Sequence, residues 1–305
     1  MKRTLLLFAA LPIVLHAASA AAQDTATGQG TGVKGATTGS TDVTSEGKFQ
    51  SAGKDADAKD ATSLSLSAGY LSATGNSKLS AATLSEAFRV RREENQFTQK
   101  LAFNQAYAGK AGTDTQETVR NLQAHFRYDR FLGNMAAFFT TQFRHDKFQG
   151  LDLRSQVDPG LAYYFINQKT NLLWTEFGYD FQYDMRNKGF FEDARAAAIA
   201  DGKDDPGLPD STRTLHSTRL FLGYENDLSQ TAKLTLGLEY LQGVAGSETT
   251  TKYASRINFD TALTAKVYKS LSMALSFGAR LDTKAIEPVK KLDTLSGASL
   301  VYTFL

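Results

Sequence analysis

Apolar and polar side chains alternate along most of the chain beyond its first fifth, and this period of two constrains the fold more than any other feature. In one segment, Leu271, Met273 and Leu275 occupy one face, while Ser272 and Ser276 occupy the other. A period of two places successive side chains on opposite faces of a β-strand. The sequence therefore predicts strands with one apolar and one polar face.

The alternating segments run for about 11–16 residues, whereas strands of soluble sandwiches usually have about 5–6. Their polar faces carry charges of both signs, as a water-facing lumen requires. Closure into a barrel also satisfies the edge hydrogen bonds that lipid cannot satisfy. We therefore predict an all-β, transmembrane, antiparallel up-and-down β-barrel of about twelve strands over residues 63–305. The predicted strands are 63–73, 78–91, 96–108, 116–130, 134–146, 152–166, 171–185, 213–226, 231–244, 251–267, 271–283 and 294–305.

Short and long connections alternate along these strands. Short turns belong on the periplasmic side of an outer-membrane barrel and longer loops outside, which predicts both termini in the periplasm. The longest connection is 186–212, and its Ala-rich part, Glu192 to Ile199, predicts a short helix that could act as a lid.

The first residues have the pattern of a secretory signal peptide. Lys2 and Arg3 precede an apolar stretch, and small residues follow around Ala20. We predict a signal peptide over 1–20, cleaved after residue 20 or 22, and export to the bacterial outer membrane. Residues 21–62 contain so little apolar surface that we predict a disordered periplasmic tail.

Composition excludes several classes of protein. The chain has no Cys, so it has no disulfides or thiolate metal sites. Its net charge is +2, and Lys2 and Arg3 of the leader account for that excess, so the composition argues against nucleic-acid binding. The mean hydropathy of −0.31 is too polar for a bundle of transmembrane helices.

Four segments resemble motifs of a known family. They are the hairpin 69–77, the strand end Arg127-Tyr128-Asp129, the segment 146–154 with its Asp, Phe, Leu and Arg, and Gly160 to Tyr163 with Ala162 in place of a second Gly. Together they resemble the domain-of-unknown-function family described as salt-induced outer membrane proteins, over roughly 63–305. The resemblance implies an outer-membrane barrel and a link to salt or osmotic stress, but no established activity.

The histidines of the predicted barrel offer few routes to catalysis. A hydrolase triad needs its serine and histidine on one side of the sheet. His216 and Ser217 face opposite ways, while His145 with Ser155 or Ser217 stays open, and His125 is predicted to face the lumen. Solvated histidines are the favoured interpretation, so we predict no catalytic residues.

An acidic cluster in the long loop, Asp201, Asp204, Asp205 and Asp210, lacks the Gly and terminal Glu of a calcium-binding loop. We interpret it as solvated and predict no metal site and no cofactor.

The predicted lumen is the main functional candidate. Its lining side chains are Arg127, Asp129, Arg144, Arg154, Asp158, Glu176, Asp180, Arg219, Glu239, Arg256, Asp260 and Arg280. One hypothesis is a narrow passive channel for small polar solutes or ions, and the alternative is a non-conducting barrel closed by ion pairs that interacts through its 186–212 loop. The near balance of signs argues against strong ion selectivity.

Three residues interrupt the alternation, and Trp174 is predicted to narrow the lumen. Glu86 and Gln105 fall on the lipid face, and a bulge near Ser85 would turn Glu86 inward. Pro159 predicts a second bulge.

The expected partners are outer-membrane lipid, lipopolysaccharide and, during insertion, the barrel-assembly machinery, while the oligomeric state stays open.

Overall fold

A computed structural model describes the backbone of residues 60–73, 77–110, 114–168, 170–202, 204–248, 253–284 and 291–303. The predicted signal peptide over 1–20 lies outside the described residues, as does nearly all of the predicted tail over 21–62. The described strands close into one antiparallel barrel in which each strand pairs with its sequence neighbours. The predicted fold class is therefore confirmed.

Twelve strands form the barrel, and most lie within a few residues of the predicted segments. They are β1 Asp60–Ala73, β2 Ser77–Arg92, β3 Asn95–Lys110, β4 Gln116–Leu132, β5 Met135–Asp146, β6 Leu151–Asn167, β7 Asn171–Arg186, β8 Thr212–Asp227, β9 Ala232–Gly246, β10 Ser255–Tyr268, β11 Leu271–Asp282 and β12 Leu292–Thr303. Strand β1 begins at Asp60 rather than at residue 63, so part of the predicted tail belongs to the sheet.

The two ends of the barrel differ in their connections. Short turns such as Glu93–Glu94 and Lys269–Ser270 lie at the end that also holds Asp60 and Thr303, which we call the turn end. The opposite end, the loop end, carries the longer connections, including 187–211. The predicted alternation of short and long connections is confirmed.

The seam between the first and last strands is short. Among the described residues, Ser65–Ala68 of β1 pair with Leu300–Thr303 of β12, which gives four residue pairs near the turn end. By comparison, β1 pairs with β2 along its full described length, from Asp60 to Ala73. In the described part of the sheet, the ladder that closes the barrel is therefore the shortest.

The outer face of the barrel is an apolar belt. Leu84, Phe177 and Leu220 are 56%, 64% and 51% exposed, and similar side chains follow at every second position of most strands. A continuous apolar surface of this kind faces hydrocarbon in a membrane barrel. Among the described residues, no helix is long and apolar enough to cross a membrane.

The long connection contains the helix that its Ala-rich sequence predicts. Helix α1 spans Lys188–Ala200, longer than the predicted Glu192–Ile199. The side chain of Asn187 caps it by accepting a hydrogen bond from the backbone N–H of Phe190 at 2.9 Å. Phe191 is buried, and the ring of Phe190 lies so close to Gly150 that a β-carbon there would overlap it. The helix is therefore seated beside the β5–β6 connection.

Both predicted bulges are wrong. The pairing of β2 with β1 and β3 continues unshifted through Ser85 and Glu86, so Glu86 stays on the outer face. There it accepts a hydrogen bond from Gln99 at 3.4 Å. Pro159 is also on the outer face, and the register between β6 and β7 is the same on both sides of it. The side chain of Gln99 accommodates Glu86. Because proline has no backbone N–H, the ladder omits one hydrogen bond at Pro159, and neither residue shifts the register.

Replacing Glu86 by Leu should raise the free energy of unfolding by about 1 kcal/mol, because a carboxylate leaves the lipid-facing surface. Urea unfolding in lipid vesicles, followed by the fluorescence of Trp174, measures the change. The matched control is Leu84→Glu on the same face, which should lower the free energy of unfolding. A lower stability in Glu86→Leu would contradict the lipid-facing position.

Candidate functional site: the barrel interior

The register places all twelve residues predicted to line the lumen on the inner faces of their strands. Most are almost completely buried: Asp129 and Asp180 are 0% exposed and Glu176 is 2% exposed. A charged group this far from water needs an oppositely charged partner and hydrogen bonds. The contacts among these side chains therefore determine what the interior can do.

One ion-pair network joins β4, β7, β8 and β9. Arg127 contacts Asp129 at 2.7 Å (Nη2 to Oδ1) and Glu176 at 2.8 Å (Nη1 to Oε1). The other oxygen of Glu176 accepts a hydrogen bond from Arg219 at 2.7 Å, and Arg219 Nε lies 2.6 Å from Oε1 of Glu239. Because β4 and β7 are not neighbours, the Arg127–Glu176 pair crosses the interior.

A second network lies nearer the loop end. Arg256 of β10 contacts Asp180 of β7 at 3.0 Å (Nη2 to Oδ2), again between strands that are not neighbours. Above it, Asp184 accepts from Arg154 at 2.7 Å and from Arg213 at 3.1 Å. These contacts connect β6, β7, β8 and β10 across the inside of the barrel.

The remaining predicted residues form shorter links. Arg280 contacts Asp260 at 2.5 Å, and Arg144 contacts Asp146 at 2.6 Å. Asp158 is on the inner face of β6, and its Oδ1 atom is buried without a hydrogen-bond partner among the described residues. Most of the predicted charged lining is thus engaged in pairs rather than facing open water.

We call this side of the interior, from β4 to β10, the ion-pair wall. Its members are Arg127, Asp129, Arg154, Asp158, Glu176, Asp180, Asp184, Arg213, Arg219, Glu239 and Arg256. Removing one member of such a network leaves a buried, uncompensated charge, which is far more costly than losing an exposed pair. The ion-pair wall therefore holds its strands in one arrangement.

An apolar cluster fills the interior next to this wall, towards the turn end. Trp174, predicted to narrow the lumen, is 1% exposed and packs against Phe221 with ring centroids 5.6 Å apart. The other buried members are Phe131, Ala136, Phe138, Ala162, Tyr164 and Leu172. The sequence analysis missed the inward positions of Phe138 and Tyr164. Adjacent residues in a strand face opposite sides, so one aromatic of the pair 138–139 and one of the run 163–165 had to point inward. The adjacent aromatics were therefore the sequence signal for these two rings.

Gly223 makes room for Trp174. A β-carbon at Gly223, on the inner face of β8, would overlap the six-membered ring of the indole. The indole Nε1 donates to Oε1 of Glu176 at 3.2 Å, which links the apolar cluster to the ion-pair wall. The ring is therefore fixed on both sides.

The opposite side of the interior is lined by small hydroxyl side chains, some of which keep part of their surface exposed. We call these the hydroxyl wall: Ser63 and Ser65 of β1, Thr83 and Ser85 of β2, and Ser272 and Ser276 of β11. Ser67 of β1 and Ser299 of β12 lie on the same side but are buried, and the inward Ser217 of β8, beside the ion-pair wall, is 0% exposed. Serines at every second position were visible in the sequence, but the search for charged groups passed over them.

His145 and His216, both on the outer face, do not pair with the serines beside them. His216 is on the outer face, where its Nδ1 hydrogen-bonds to the hydroxyl of Tyr179, while Ser217 faces inward. His145 Nδ1 donates to the backbone carbonyl of Asp152 at 2.9 Å, and the structure assigns it no contact with Ser155 in the described residues. Neither His216 with Ser217 nor His145 with Ser155 thus forms a pair of nucleophile and base in the described residues.

In the part of the chain that the structure describes, the carboxylates of the acidic loop do not gather with others into a cluster of three potential metal ligands. Asp205 instead accepts two hydrogen bonds from Arg195, at 2.7 Å from Nε and 2.5 Å from Nη2. These bonds hold the pKa of Asp205 below its ordinary value, at about 2. Its carboxylate is therefore committed to an ion pair.

The apolar belt, the closed ladder and the charged interior together define a membrane-spanning β-barrel. The chain belongs to a family of proteins of unknown function, DUF481, whose model matches residues 66–304. The predicted family membership is confirmed. No curated protein matches the chain.

Solved structures similar to this chain include bacterial outer-membrane barrels. An outer membrane channel of Pseudomonas putida F1 is 14% identical, with a TM-score of 0.44 and coverage of 82% of this chain and 99% of that one. The translocator domain of the autotransporter NalP from Neisseria meningitidis is 12% identical, with a TM-score of 0.40 and coverage of 80% and 87%. The outer membrane channel DcaP of Acinetobacter baumannii is 9% identical, with a TM-score of 0.34 and coverage of 80% and 96%.

Replacing Glu176 by Gln should lower the free energy of unfolding by about 3 kcal/mol, because Arg127 and Arg219 then share a neutral acceptor while buried. Urea unfolding in vesicles measures this loss. The control is Asp205→Asn, which breaks an exposed ion pair and should change stability little. Equal effects of the two substitutions would contradict the role of Glu176.

Replacing Gly223 by Ala should lower the free energy of unfolding by about 1–3 kcal/mol, because the new methyl group overlaps Trp174. The double variant Gly223→Ala, Trp174→Leu relieves the overlap, so its two substitutions should be less than additive in denaturation experiments. Additive losses would show that the methyl group does not meet the indole.

Proposed function

We propose that this protein is a narrow passive channel for small polar solutes or ions in the bacterial outer membrane. The observation that carries the proposal is the partial exposure of the hydroxyl wall. Ser63, Ser85 and Ser276 point into the barrel and still retain accessible surface. Inward surface that stays accessible in a barrel of this size is surface that water can reach.

The chemistry of the hydroxyl wall suits passage rather than tight binding. Each hydroxyl can donate one hydrogen bond and accept others, so a row of them can replace part of a solute's hydration shell. Because the side chains are small, they leave more space than the guanidiniums and aromatic rings opposite. The passage is therefore off-centre, beside β1, β2 and β11.

The ion-pair wall supports this passage as a rigid partition. Its cross-strand pairs keep the long arginine side chains in contact with carboxylates. The arginines therefore cannot extend into the accessible side of the lumen. Conduction in a pore requires sites that are favourable enough to enter and weak enough to leave. Neutral hydroxyls facing a largely neutralised wall meet that requirement.

A second candidate is a non-conducting barrel that serves structure or interaction. The complete burial of Asp129, Asp180 and the apolar cluster favours it, because water is excluded from that half of the interior. In that case the seated helix α1 and the rest of the 186–212 loop would contact a partner or lipopolysaccharide. A link to salt or osmotic stress, which the sequence resemblance to salt-induced outer membrane proteins suggests, is compatible with either candidate.

Single-channel recording of the refolded barrel in a planar bilayer separates the two candidates. We expect discrete conductance steps that scale with salt concentration, because ions cross through water beside the hydroxyl wall. Silence from protein shown to be folded and inserted would overturn the channel proposal in favour of the non-conducting barrel.

The route of passage is tested by Ser85→Trp, which should reduce the conductance by more than about half, because an indole fills the accessible side of the lumen. The matched control is Leu84→Trp, the adjacent position on the lipid face, which should leave the conductance unchanged. Equal conductance in the two variants would show that solutes do not pass along the hydroxyl wall.

A further inference from the structure

We propose that the outer face of the barrel, at the loop end of β4, binds a phosphorylated and acylated glycolipid, namely lipopolysaccharide. The groups that would bind its phosphate are Arg120 of β4 and Lys147 of the β5–β6 connection, which we call the cationic pair. This inference goes beyond the proposed channel function and does not depend on it, because the cationic pair lies outside the lumen. It gives the expected lipid partner a defined position on the barrel.

A β-bulge forms the base of this site. Ala106 of β3 pairs with Val119 of β4, but the next residue of β3, Tyr107, pairs with Glu117, so β4 contains one extra residue here. An extra residue shifts the alternation of side chains by one and moves them to the other face. Strict alternation with the inward Val119 would place Glu117 inside the barrel, whereas the bulge places it on the outer face.

Glu117 holds the two cations from beneath. Its Oε1 atom accepts hydrogen bonds from Arg120 Nε at 2.7 Å and from Gln105 Nε2 at 2.9 Å, and its Oε2 atom accepts one from Lys147 Nζ at 2.9 Å. One carboxylate thus contacts two cationic side chains. The side chain of Glu117 is 11% exposed, whereas those of Arg120 and Lys147 are 46% and 53% exposed. A group that approaches from outside the barrel therefore meets the cations before the carboxylate.

The cationic pair keeps hydrogen-bond donors for a ligand. Among the described residues, Arg120 hydrogen-bonds to Glu117 through Nε alone, so the terminal nitrogens of its guanidinium stay available. Lys147 has three N–H donors, of which Glu117 takes one. A guanidinium matches two oxygens of a phosphate, and an ammonium adds a compact positive charge beside it. The donors that remain thus suit a phosphate group.

Two other carboxylates lie at this edge of the barrel, and within the described residues neither forms an ion pair with the two cations. Asp152 of β6 accepts a hydrogen bond from Nδ2 of Asn187 at 2.8 Å, so its carboxylate is directed towards the long connection. Asp114 is exposed in the connection before β4. Glu117 is therefore the carboxylate that the cationic pair contacts, and it shares its charge between two partners.

An apolar surface suited to acyl chains begins next to the cationic pair. Leu122, two residues along β4 from Arg120 and on the same face, is 54% exposed. Leu101 of β3 and Phe143 of β5, which flank the next outward position of β4, are 39% and 41% exposed. A ligand with a phosphate and hydrocarbon chains can contact both surfaces at once, whereas a free phosphate can use only the cations.

The depth of the cationic pair fits the headgroup region of a membrane. Strand β4 has 17 residues and spans about 40 Å along the barrel axis at the usual tilt, compared with an apolar band about 25 Å tall. Arg120 is the fifth residue from the loop end, so it lies near the boundary of that band, and Lys147 lies beyond it. Longer loops face the outside of an outer-membrane barrel, which is the leaflet that contains lipopolysaccharide.

The test is the affinity of the refolded barrel, in detergent micelles, for lipid A with two phosphate groups, measured by native mass spectrometry. A chelator is present so that divalent cations cannot bridge protein and lipid. We expect a complex with one lipid A, and weaker binding of lipid A from which both phosphates have been removed. Arg120→Gln and Lys147→Gln should each weaken the affinity by about threefold, and together by about tenfold, because each removes one half-exposed charge that contacts the phosphate.

The matched control is Arg92→Gln, which removes the same charge from the outer face at the turn end, where Arg92 lies 4.0 Å from Asp60. It should leave the affinity for lipid A unchanged. Heat-dependent migration on gels shows that each variant is folded before it is measured. Inorganic phosphate, added in excess as a competitor, should not displace the lipid, because it cannot contact the apolar surface around Leu122.

Three results would overturn the inference. Equal affinity for lipid A with and without its phosphates would show that phosphate is not recognised. Unchanged affinity in the double variant Arg120→Gln, Lys147→Gln would show that the lipid binds elsewhere. Displacement by inorganic phosphate would show a site for free phosphate rather than for lipid. None of these results bears on conductance, so the inference and the proposed channel function fail separately.

Discussion

The arrangement of side chains inside this barrel follows from one constraint, which is that buried charged groups need oppositely charged partners. Arginines and carboxylates from strands that are not neighbours meet inside it, as Arg127 and Glu176 do at 2.8 Å. Each of these groups would be too costly to bury alone, so the strands are held at the separation that lets them pair. The same requirement divides the lumen, because side chains engaged on one side cannot occupy the other. The hydroxyl wall lies on that other side.

Most of the fold could be predicted from the sequence, because the period of two acts locally and needs no knowledge of distant residues. It predicted the twelve strands, the alternating turns and the inward side of Arg219 or Asp180. It could not predict which charges meet, since a pair such as Arg256 and Asp180 depends on curvature and on the stagger between strands. Sequence analysis therefore identified the components of the lumen but treated them as an evenly mixed lining.

The two mistaken bulges have a common physical origin. Glu86 on the lipid face suggested a bulge, yet a hydrogen bond from Gln99 accommodates it within an unbroken ladder. Pro159 similarly remains in register on the outer face. In both places the continuous hydrogen bonds of the sheet outweigh one unfavourable side chain. The inward aromatics were missed for a different reason, because apolar residues were assigned to the lipid face without asking where the second of two adjacent rings must point.

The short seam between β1 and β12 has a mechanical consequence. In the described residues, four residue pairs close the barrel, whereas β1 and β2 are joined along the full described length of β1. Strand β1 forms this seam, and β2 and β11 are the next strands on either side of the β1–β12 pair, so the hydroxyl wall lies beside it. A change in the spacing of β1 and β12 would therefore alter the width of the lumen beside the hydroxyls, while the ion pairs from β4 to β10 could stay as they are.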